Sequence, residues 1–221
     1  EAGAMNMADA YARVSRSLGV CITSTGTAAG NAAGAQVEAL TAGSPVLHIT
    51  TQVDRIFADR DRGAIHDVPR QPDMLKAVSK GYFRIWDAHG AVPTLIAAAN
   101  AALTAPRGPV SLEIPVDVQR ETATMPAAVG FSVTSVAPDT AQLDRLAELV
   151  RKAKRPMLWL GGGARGASEA ATALVERGFA AVTSTNGRAT VPESHPRSLG
   201  AFNMTPDAQA LYRKCDLMIV V

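Results

Sequence analysis

Apolar residues in the first 118 positions recur with two periods, one typical of helices and one typical of buried strands. Residues 1–13 carry apolar side chains at helical spacing, and residues 18–23 form a short, almost continuous apolar run. The pattern predicts, in chain order, a helix over 1–13, a strand over 18–23, a helix over 31–41, a strand over 45–50, a helix over 92–103 and a strand over 108–114. Because helices alternate with apolar strands, we expect a parallel sheet with helices on both faces.

Residues 119–139 lose this periodicity and are rich in Thr, Ala, Pro and Ser, which is typical of a linker. After this stretch the pattern predicts a helix over 141–153, a strand over 156–160, a helix over 168–177, a strand over 180–184 and a last strand from 216 to the end. The predicted fold class is α/β, with two parallel-sheet, three-layer units over 1–118 and 140–221. No Met precedes Glu1 and the last residues are in mid-strand, so we expect a fragment with a truncated second unit.

Composition narrows the function classes. The 221 residues are 47% hydrophobic but only 5% aromatic, and the formal net charge is +2. No basic stripe stands out, so nucleic acid is not an expected partner, since phosphate neutralisation leads that kind of binding. No apolar run reaches the roughly 18 residues that span a bilayer, and no signal peptide is visible, so we expect no membrane partner and a cytoplasmic location. Cys21 and Cys215 are interpreted as two buried thiols.

Two glycine-rich runs follow predicted strands, and each has a structural and a ligand-binding interpretation. The turn from Gly26 to Asn31 lacks a complete G-x-G-x-x-G and has no Lys that could meet a phosphate. The run from Gly161 to Gly166 lies between a strand and a helix, where tight packing is favoured over nucleotide contact. No Cys/His spacing indicates zinc, and no G-x-S-x-G indicates a hydrolase. A non-catalytic nucleotide-binding module stays open as an alternative.

Taken in order, several motifs resemble the thiamine-diphosphate enzymes, in particular the acetolactate synthase-like group. The matching segments are Glu1, MADAYAR at 7–13, TSTGTAAGN at 23–31, ITTQ at 49–52 and GPVSLEIPVD at 108–117. In that family the pattern is a Glu followed by M-A-D-G-Y-A-R, S-G-P-G-x-x-N, I-T-G-Q and G-P-V-x-x-x-x-P-x-D-V. This chain differs at Ala10, at Thr27 and Ala28 and at Thr51. The resemblance implies that 1–118 is a pyrimidine-binding domain without its N-terminal part, that 119–139 is a linker and that 140–221 is a truncated, Rossmann-like central domain.

The resemblance also implies a cofactor site. A carboxylate bonded to the cofactor's aminopyrimidine promotes the imino tautomer, which then removes the thiazolium proton. By resemblance Glu1 is this carboxylate and a catalytic residue. The same comparison implies that Glu1, Thr25, Gly26, Asn31 and Gln52 bind the cofactor, with small residues in the turn letting the backbone approach the ring.

His66 is the second catalytic candidate. It lies where the family carries loop residues that face the reaction centre, and an imidazole can act as an acid, as a base or as a donor to a keto-acid carboxylate. The alternative for His66 is an ordinary surface histidine. Gln71, in the same segment, is a weaker candidate for substrate contact, and His48 and His89 are expected to be structural.

The implied function is that of a fragment of a thiamine-diphosphate-dependent lyase or transferase, with acetolactate synthase-like decarboxylation and carboligation of 2-oxo acids. The alternative within the family is a non-ligating 2-oxo-acid decarboxylase of the benzoylformate or indolepyruvate type. In the family a third, C-terminal domain holds the diphosphate and its Mg²⁺ through a Gly-Asp-Gly motif that the 221 residues lack. We therefore expect thiamine diphosphate and Mg²⁺, with FAD open, a homodimer or homotetramer, and an inactive isolated fragment that contributes no metal ligand.

Overall fold

The computed structural model describes residues 1–124, 130–133 and 137–221, which form two compact units, Glu1–Ser135 and Val136–Val221. Each unit is built on a sheet whose paired strands are all parallel. The predicted fold class, α/β with two parallel-sheet units, is therefore confirmed. Part of the segment 119–139 lies outside the described residues, and its assignment as a linker stays a prediction.

The first unit has a sheet with the strand order β1-β2-β4-β3. Its elements in the described residues are α1 (Ala2–Ser15), β1 (Gly19–Thr23), α2 (Thr27–Ala42), β2 (Val46–Gln52), α3 (Gln71–Ala77), β3 (Gly81–Arg84), α4 (Ala91–Leu103) and β4 (Val110–Pro115). The pattern did not predict α3 and β3. The helix has only seven residues, and all four residues of the strand are half-buried, so neither leaves a clear period.

Helix α1 packs through small side chains on one stripe. Met5, Ala8 and Ala12 are buried at the predicted helical spacing, against Cys21 of β1 and alanines of α2. The predicted polar pair on this helix also forms, since Arg13 donates two hydrogen bonds to the Asp9 carboxylate, at 2.9 and 2.6 Å. Small side chains bring α1 and α2 close together over the sheet.

Helix α2 starts four residues earlier than predicted. Gly26 precedes its first residue, Thr27, so the run to Asn31 is the first turn of the helix and not a separate loop. Alanine favours helix, which explains why this glycine-containing segment continues the helix. The helix ends at Gly43, whose φ of 67° allows the chain to reverse.

One face of the first sheet is rich in polar side chains. We call it the polar face and define it by His48, Thr50 and Gln52 of β2 with Ser111 and Glu113 of β4. The register pairs His48 with Ser111 and Thr50 with Glu113, which places them side by side. All five are buried. Helices α2 and α3 contribute hydrogen-bonding partners to this face.

The opposite face is hydrophobic. We call it the apolar face and define it by Leu47 and Ile49 of β2 with Val110 and Leu112 of β4, which pack against alanines of α4. Helix α4 contacts β2, β3 and β4.

Strand β1 lies at the edge of the first sheet in the described residues. Two of its side chains, Val20 and Ile22, point to the same side as the apolar face but are 50% and 71% exposed. The cover that α4 gives to the neighbouring strands therefore does not extend over β1.

The second unit has the strand order β6-β5-β7. Its elements are α5 (Thr140–Lys152), β5 (Pro156–Leu160), α6 (Ser168–Glu176), β6 (Ala180–Thr183), α7 (Pro206–Tyr212) and β7 (Leu217–Val220), and α7 was not predicted. Leu158, Leu160, Val175 and Phe179 form the centre of its core. Val150 of α5 packs against this core.

Leu143 and Leu149 of α5 are about half exposed. The expectation of two buried thiols needs correction. The cysteines are both free, but only Cys21 is buried, whereas Cys215 is partly exposed. No helix among the described residues has the length and hydrophobicity of a membrane span.

Candidate functional site

The candidate site lies where β1 and β2 reach their carboxyl ends. Thr25 and Gly26 follow β1 after one residue, Ser24, and Gln52 is the last residue of β2. Parallel sheets bind ligands at this edge, because the loops that leave the strands converge there. The structure therefore places these three predicted residues in one region.

The structure brings Glu1 and Asn31 together. Asn31 Nδ2 donates a hydrogen bond to Glu1 Oε2 at 3.3 Å, from the first turn of α2 to the residue that precedes α1. Both residues are exposed to solvent. The pairing of a carboxylate with an amide fits a site for a nitrogen heterocycle, but the described residues do not enclose Glu1 in a dry pocket.

Gly26 permits a close approach between two parts of the backbone. Its φ is 63°, and a Cβ atom at this position would lie 2.1 Å from the carbonyl oxygen of His66. Any other residue would force the His66 segment away from the turn. The predicted residues Gly26 and His66 are thus adjacent, although the contact is made by the backbone of His66.

The imidazole of His66 is exposed, and the residue itself has a left-handed φ of 62°. In the described part of the chain the structure gives this ring no hydrogen bond. The next residue, Asp67, is different. Both of its carboxylate oxygens are shielded from solvent and have no hydrogen-bond partner among the described residues.

Thr25 and Gln52 are held in the protein interior. The hydroxyl of Thr25 donates to Gln71 Oε1 at 3.1 Å, and its distance to Gln52 Oε1 is 3.5 Å. Gln52 Oε1 accepts from the backbone N–H of Val53 at 2.8 Å. Gln52 therefore packs beneath the Thr25 side chain in the protein interior, and its amide oxygen already accepts a hydrogen bond from Val53.

The pattern did not identify the residue at the centre of this region, Glu113. This carboxylate is fully buried. Its Oε1 accepts from Gln71 Nε2 at 2.8 Å, while Oε2 accepts from the Tyr82 hydroxyl and from Arg84 Nε at 2.7 Å. A single charged residue inside the apolar run GPVSLEIP was the available signal, because a buried charge requires partners.

The charges around Glu113 shift the pKa values of its partners. Burial and the neighbouring carboxylate raise the pKa of Tyr82, so its phenol stays protonated and donates. Burial of Arg84 opposes its charge, but its hydrogen bond to Asp59 and its pairing with Glu113 outweigh burial and raise its pKa. In turn the Arg84 guanidinium lowers the pKa of Asp59. The result is an ionic network that runs from the exposed Asp59, in the loop after β2, to the buried Glu113 on the polar face.

A second hydrogen-bonded group occupies the rest of the polar face. His48 Nε2 lies 2.9 Å from the Thr23 hydroxyl, and His48 Nδ1 lies 2.7 Å from Gln36 Oε1. Gln36 also donates to Ser79 and Ser111, at 2.7 and 2.9 Å. Burial lowers the pKa of His48 to about 4, so this ring is neutral at physiological pH.

The glycine-rich run of the second unit packs against protein at its first two glycines, whereas a Cβ at Gly163 or Gly166 would meet no atom within 4 Å. A Cβ at Gly161 would lie 3.1 Å from the Val221 carbonyl oxygen, and one at Gly162 would lie 3.3 Å from Asn186 Cβ. Gly187 lies so close to the Leu160 carbonyl oxygen that a Cβ would be 2.0 Å away. These contacts agree with the tight-packing interpretation.

The predicted residues do not line the cavity beside Arg84, and they form no metal site among the described residues. In the described ranges no group of three His, Cys, Asp or Glu side chains could hold a metal ion. A shallow cavity of about 250 Å³ lies beside Arg84, and it is lined by Asp59, Pro72, Lys76, Tyr82, Phe83, Arg84 and Trp86. Because Glu1 and Gly26 do not line it, we do not assign the candidate chemistry to this cavity.

The fold and this region define a class of protein. Residues 1–74 match the N-terminal TPP binding domain of thiamine pyrophosphate enzymes, and residues 143–221 match the central domain of the same enzymes. The chain therefore belongs to the thiamine pyrophosphate enzyme family. Within it the chain is similar to acetolactate synthase large subunits.

Three relatives show the extent of the similarity. The chain is 31% identical to the Probable acetolactate synthase large subunit of Methanocaldococcus jannaschii and 33% identical to the Probable 2-ketoarginine decarboxylase AruI of Pseudomonas aeruginosa, in both cases over 100% of the chain. A protein of Mycobacterium smegmatis assigned as a thiamin diphosphate-dependent enzyme has a solved structure that matches 99% of the chain with 31% identity and a TM-score of 0.84. The chain spans about two fifths of these relatives, namely 39%, 40% and 43% of their lengths.

The residues present fit one half of a thiamine-diphosphate site. Glu1 has one carboxylate oxygen bonded to Asn31, and its exposure leaves the other free for a ligand. Gly26 lacks the Cβ that would collide with the His66 carbonyl oxygen, so the turn and the His66 segment can lie together beside this pair.

Proposed function

We propose that this chain is part of a thiamine-diphosphate-dependent enzyme that decarboxylates a 2-oxo acid and joins the product to a second one, as acetolactate synthases do. The observation that carries the proposal is the contact between Glu1 and Asn31, within the matched N-terminal domain. The names of the similar proteins support 2-oxo acids as the substrate class.

When bound, thiamine diphosphate supplies an electron sink for the electrons left when the acid loses carbon dioxide. In our proposal Glu1 holds a proton against the pyrimidine ring, and Asn31 fixes the orientation of the carboxylate. Thr25 and Gly26 provide the wall on which the ring packs. The dry surroundings that strengthen this bond come from protein outside the 221 residues.

His66 is proposed as the substrate-side residue. Its backbone rests on Gly26 while its ring is exposed, so the ring can donate a hydrogen bond to the carboxylate of a 2-oxo acid. The alternative, an ordinary surface histidine, predicts that His66→Gln leaves the KM for the 2-oxo acid unchanged.

The same proposal includes a Mg²⁺ ion and the diphosphate held by a C-terminal domain of a partner subunit, in a cytoplasmic homodimer or homotetramer. The chain 1–221 alone is then expected to bind thiamine diphosphate very weakly and to turn over no substrate. Isothermal titration of the chain and of the full-length protein compares the two directly. FAD stays open, and visible flavin absorbance of the full-length protein would reveal it.

The test of the central role is Glu1→Gln in the full-length protein. Turnover is expected to fall by a factor of about 100 or more, because an amide N–H can donate a hydrogen bond to the ring but cannot transfer its proton as a carboxyl group can. Glu38→Gln, which changes an exposed carboxylate on α2, is the matched control and should retain normal activity. Normal turnover in Glu1→Gln would overturn the proposed function.

A second candidate is a decarboxylase that does not ligate. The similarity to the Pseudomonas aeruginosa protein, at 33% identity, favours it. Product analysis with pyruvate separates the two, since a synthase releases acetolactate and a simple decarboxylase releases acetaldehyde.

A further inference from the structure

The turn that leads into α2 depends on a side chain from another helix. Gly26 is the residue before α2, and its backbone N–H donates to Gln71 Oε1 at 2.6 Å. The Thr25 hydroxyl donates to the same oxygen at 3.1 Å. Gln71 is the first residue of α3 and is fully buried. A single amide oxygen thus holds both residues of the turn.

The orientation of the Gln71 amide is fixed chemically. Gly26 N–H can only donate, so the amide oxygen must face it. On the opposite side, Gln71 Nε2 donates to Glu113 Oε1 at 2.8 Å and to the Thr51 carbonyl oxygen at 3.1 Å. An ionised carboxylate can only accept, so the nitrogen must face Glu113. The amide cannot turn over while Glu113 is charged.

The other partners of Glu113 balance its charge. Arg84 Nη2 lies 2.6 Å from Glu113 Oε2, and Tyr82 donates to the same oxygen. Pairing of this kind is what makes a fully buried carboxylate tolerable. Glu113 lies inside β4, between two paired strands, so its position is set by the sheet.

We propose that Gln71 and Glu113 are positioning residues for the cofactor, because they clamp the Thr25–Gly26 turn through one oriented amide. The turn also governs Asn31. The Gly26 carbonyl accepts from Gly30 N–H at 2.9 Å, and Asn31, next in the chain, donates to Glu1. Loosening the turn therefore disturbs both the cofactor wall and the orientation of the Glu1 carboxylate. This inference rests on the proposed function.

The test compares two buried glutamines in the full-length protein. Gln71→Met keeps most of the side-chain volume and removes every hydrogen bond to the turn. Gln36→Met is the matched control, because Gln36 is also fully buried and hydrogen-bonded on the polar face but bonds to Ser79, Ser111 and His48. We expect the Kd for thiamine diphosphate, from isothermal titration, to rise about tenfold or more in Gln71→Met and less than about twofold in Gln36→Met.

Glu113→Gln is the second variant and removes no heavy atom. Arg84 and Tyr82 require an oxygen, so the new amide nitrogen faces Gln71 and opposes its N–H group. Gln71 then turns over and presents its nitrogen to Gly26. We expect a rise in Kd similar to that of Gln71→Met, together with faster hydrogen exchange at the Gly26 amide, measured without cofactor. If Gln71→Met fails to fold, the Kd of Glu113→Gln tests the inference by itself.

The outcomes are distinct. Equal weakening in Gln36→Met and Gln71→Met would show a general loss of stability and would overturn the inference. Normal cofactor affinity in Gln71→Met and Glu113→Gln would overturn it as well, even if the Gly26 amide exchanges faster. No binding by the unsubstituted protein would instead overturn the proposed function, and the inference would fall with it.

Discussion

The two faces of the first sheet are built from the same strands but have opposite chemistry. On β2 the apolar face has Leu47 and Ile49, while the polar face has His48 and Thr50, the residues next to them in the chain. The apolar face packs side chains against α4. The polar face is crossed by hydrogen bonds that connect it to α2 and α3.

The difference separates stability from positioning. Apolar burial contributes roughly 25 cal/mol for each Å² removed from water, whereas a buried hydrogen bond contributes only about 1 kcal/mol net because water is given up in exchange. A polar layer is therefore an inefficient way to stabilise a sheet. Its hydrogen bonds do fix the orientation of the groups that they join. On this face they orient Gln71, which holds the turn at Gly26. Substitutions on the apolar face should therefore change the free energy of unfolding alone, whereas substitutions on the polar face should also change cofactor binding.

The largest effect is expected for Glu113→Ala on the polar face. Removing the carboxylate leaves Arg84 and Tyr82 without their buried partner, and the free energy of unfolding should fall by about 4 kcal/mol. Urea unfolding followed by circular dichroism measures this change. A loss below about 1 kcal/mol would mean that Arg84 and Tyr82 do not depend on Glu113 as a buried partner.

On the apolar face, Leu112→Ala should lower the free energy of unfolding by about 3 kcal/mol through the cavity that it leaves. The same variant in the full-length protein should bind thiamine diphosphate with normal affinity when folded, because Leu112 packs in the apolar core. A clear loss of affinity in the folded variant would contradict the separation of roles between the faces.

His48 should give the polar face a pH dependence that the apolar face lacks. Its pKa is lowered by burial to about 4 from an ordinary 6.5, so below pH 6.5 the unfolded chain takes up a proton that the folded chain does not. Stability is complete above that pH and falls as the pH drops towards 4. His48→Gln should remove about 2 kcal/mol of the loss between about pH 7.5 and 5.

Denaturant unfolding at several pH values tests this contribution of His48. The control is His89→Gln, which changes an exposed ring and should keep the pH dependence of the unsubstituted chain. Identical pH profiles for His48→Gln and the unsubstituted chain would show that this ring has no part in it.

The smallest effect is expected beside the site, at Asp67. Its carboxylate oxygens are shielded and have no partner in the described ranges, so Asp67→Asn should raise the free energy of unfolding by about 1 kcal/mol. Asp61→Asn, an exposed control, should change it by less than about 0.5 kcal/mol. Destabilisation by Asp67→Asn would indicate that the carboxylate has a partner after all.

Sequence periodicity predicted most of the framework because strands such as β2 and β5 are short, apolar and bounded by turn residues. It missed α3, β3 and α7, whose length of four to seven residues is too short for a period to register. It also places the start of α2 too late, because Gly26 and Gly30 indicate a turn whereas the alanines between them favour helix.

The candidate site was less predictable for a physical reason. The order of motifs pointed to Glu1 and Asn31, and the structure places them in contact. Gln71 and Glu113, however, are 42 positions apart and meet only because β4 lies between β2 and β3. No local pattern encodes that strand order. The catalytic and cofactor-binding roles given to the predicted residues stay predictions until the variants above are measured.

The uncovered side of β1 has a practical consequence for anyone who prepares these 221 residues. An edge strand offers unpaired backbone groups, and Val20 and Ile22 add an exposed apolar surface beside them. Concentrated samples are expected to self-associate through this edge, strand against strand. The substitution Ile22→Lys should reduce aggregation through this edge, because it places a charge on the exposed strand, and it should leave the polar face unchanged.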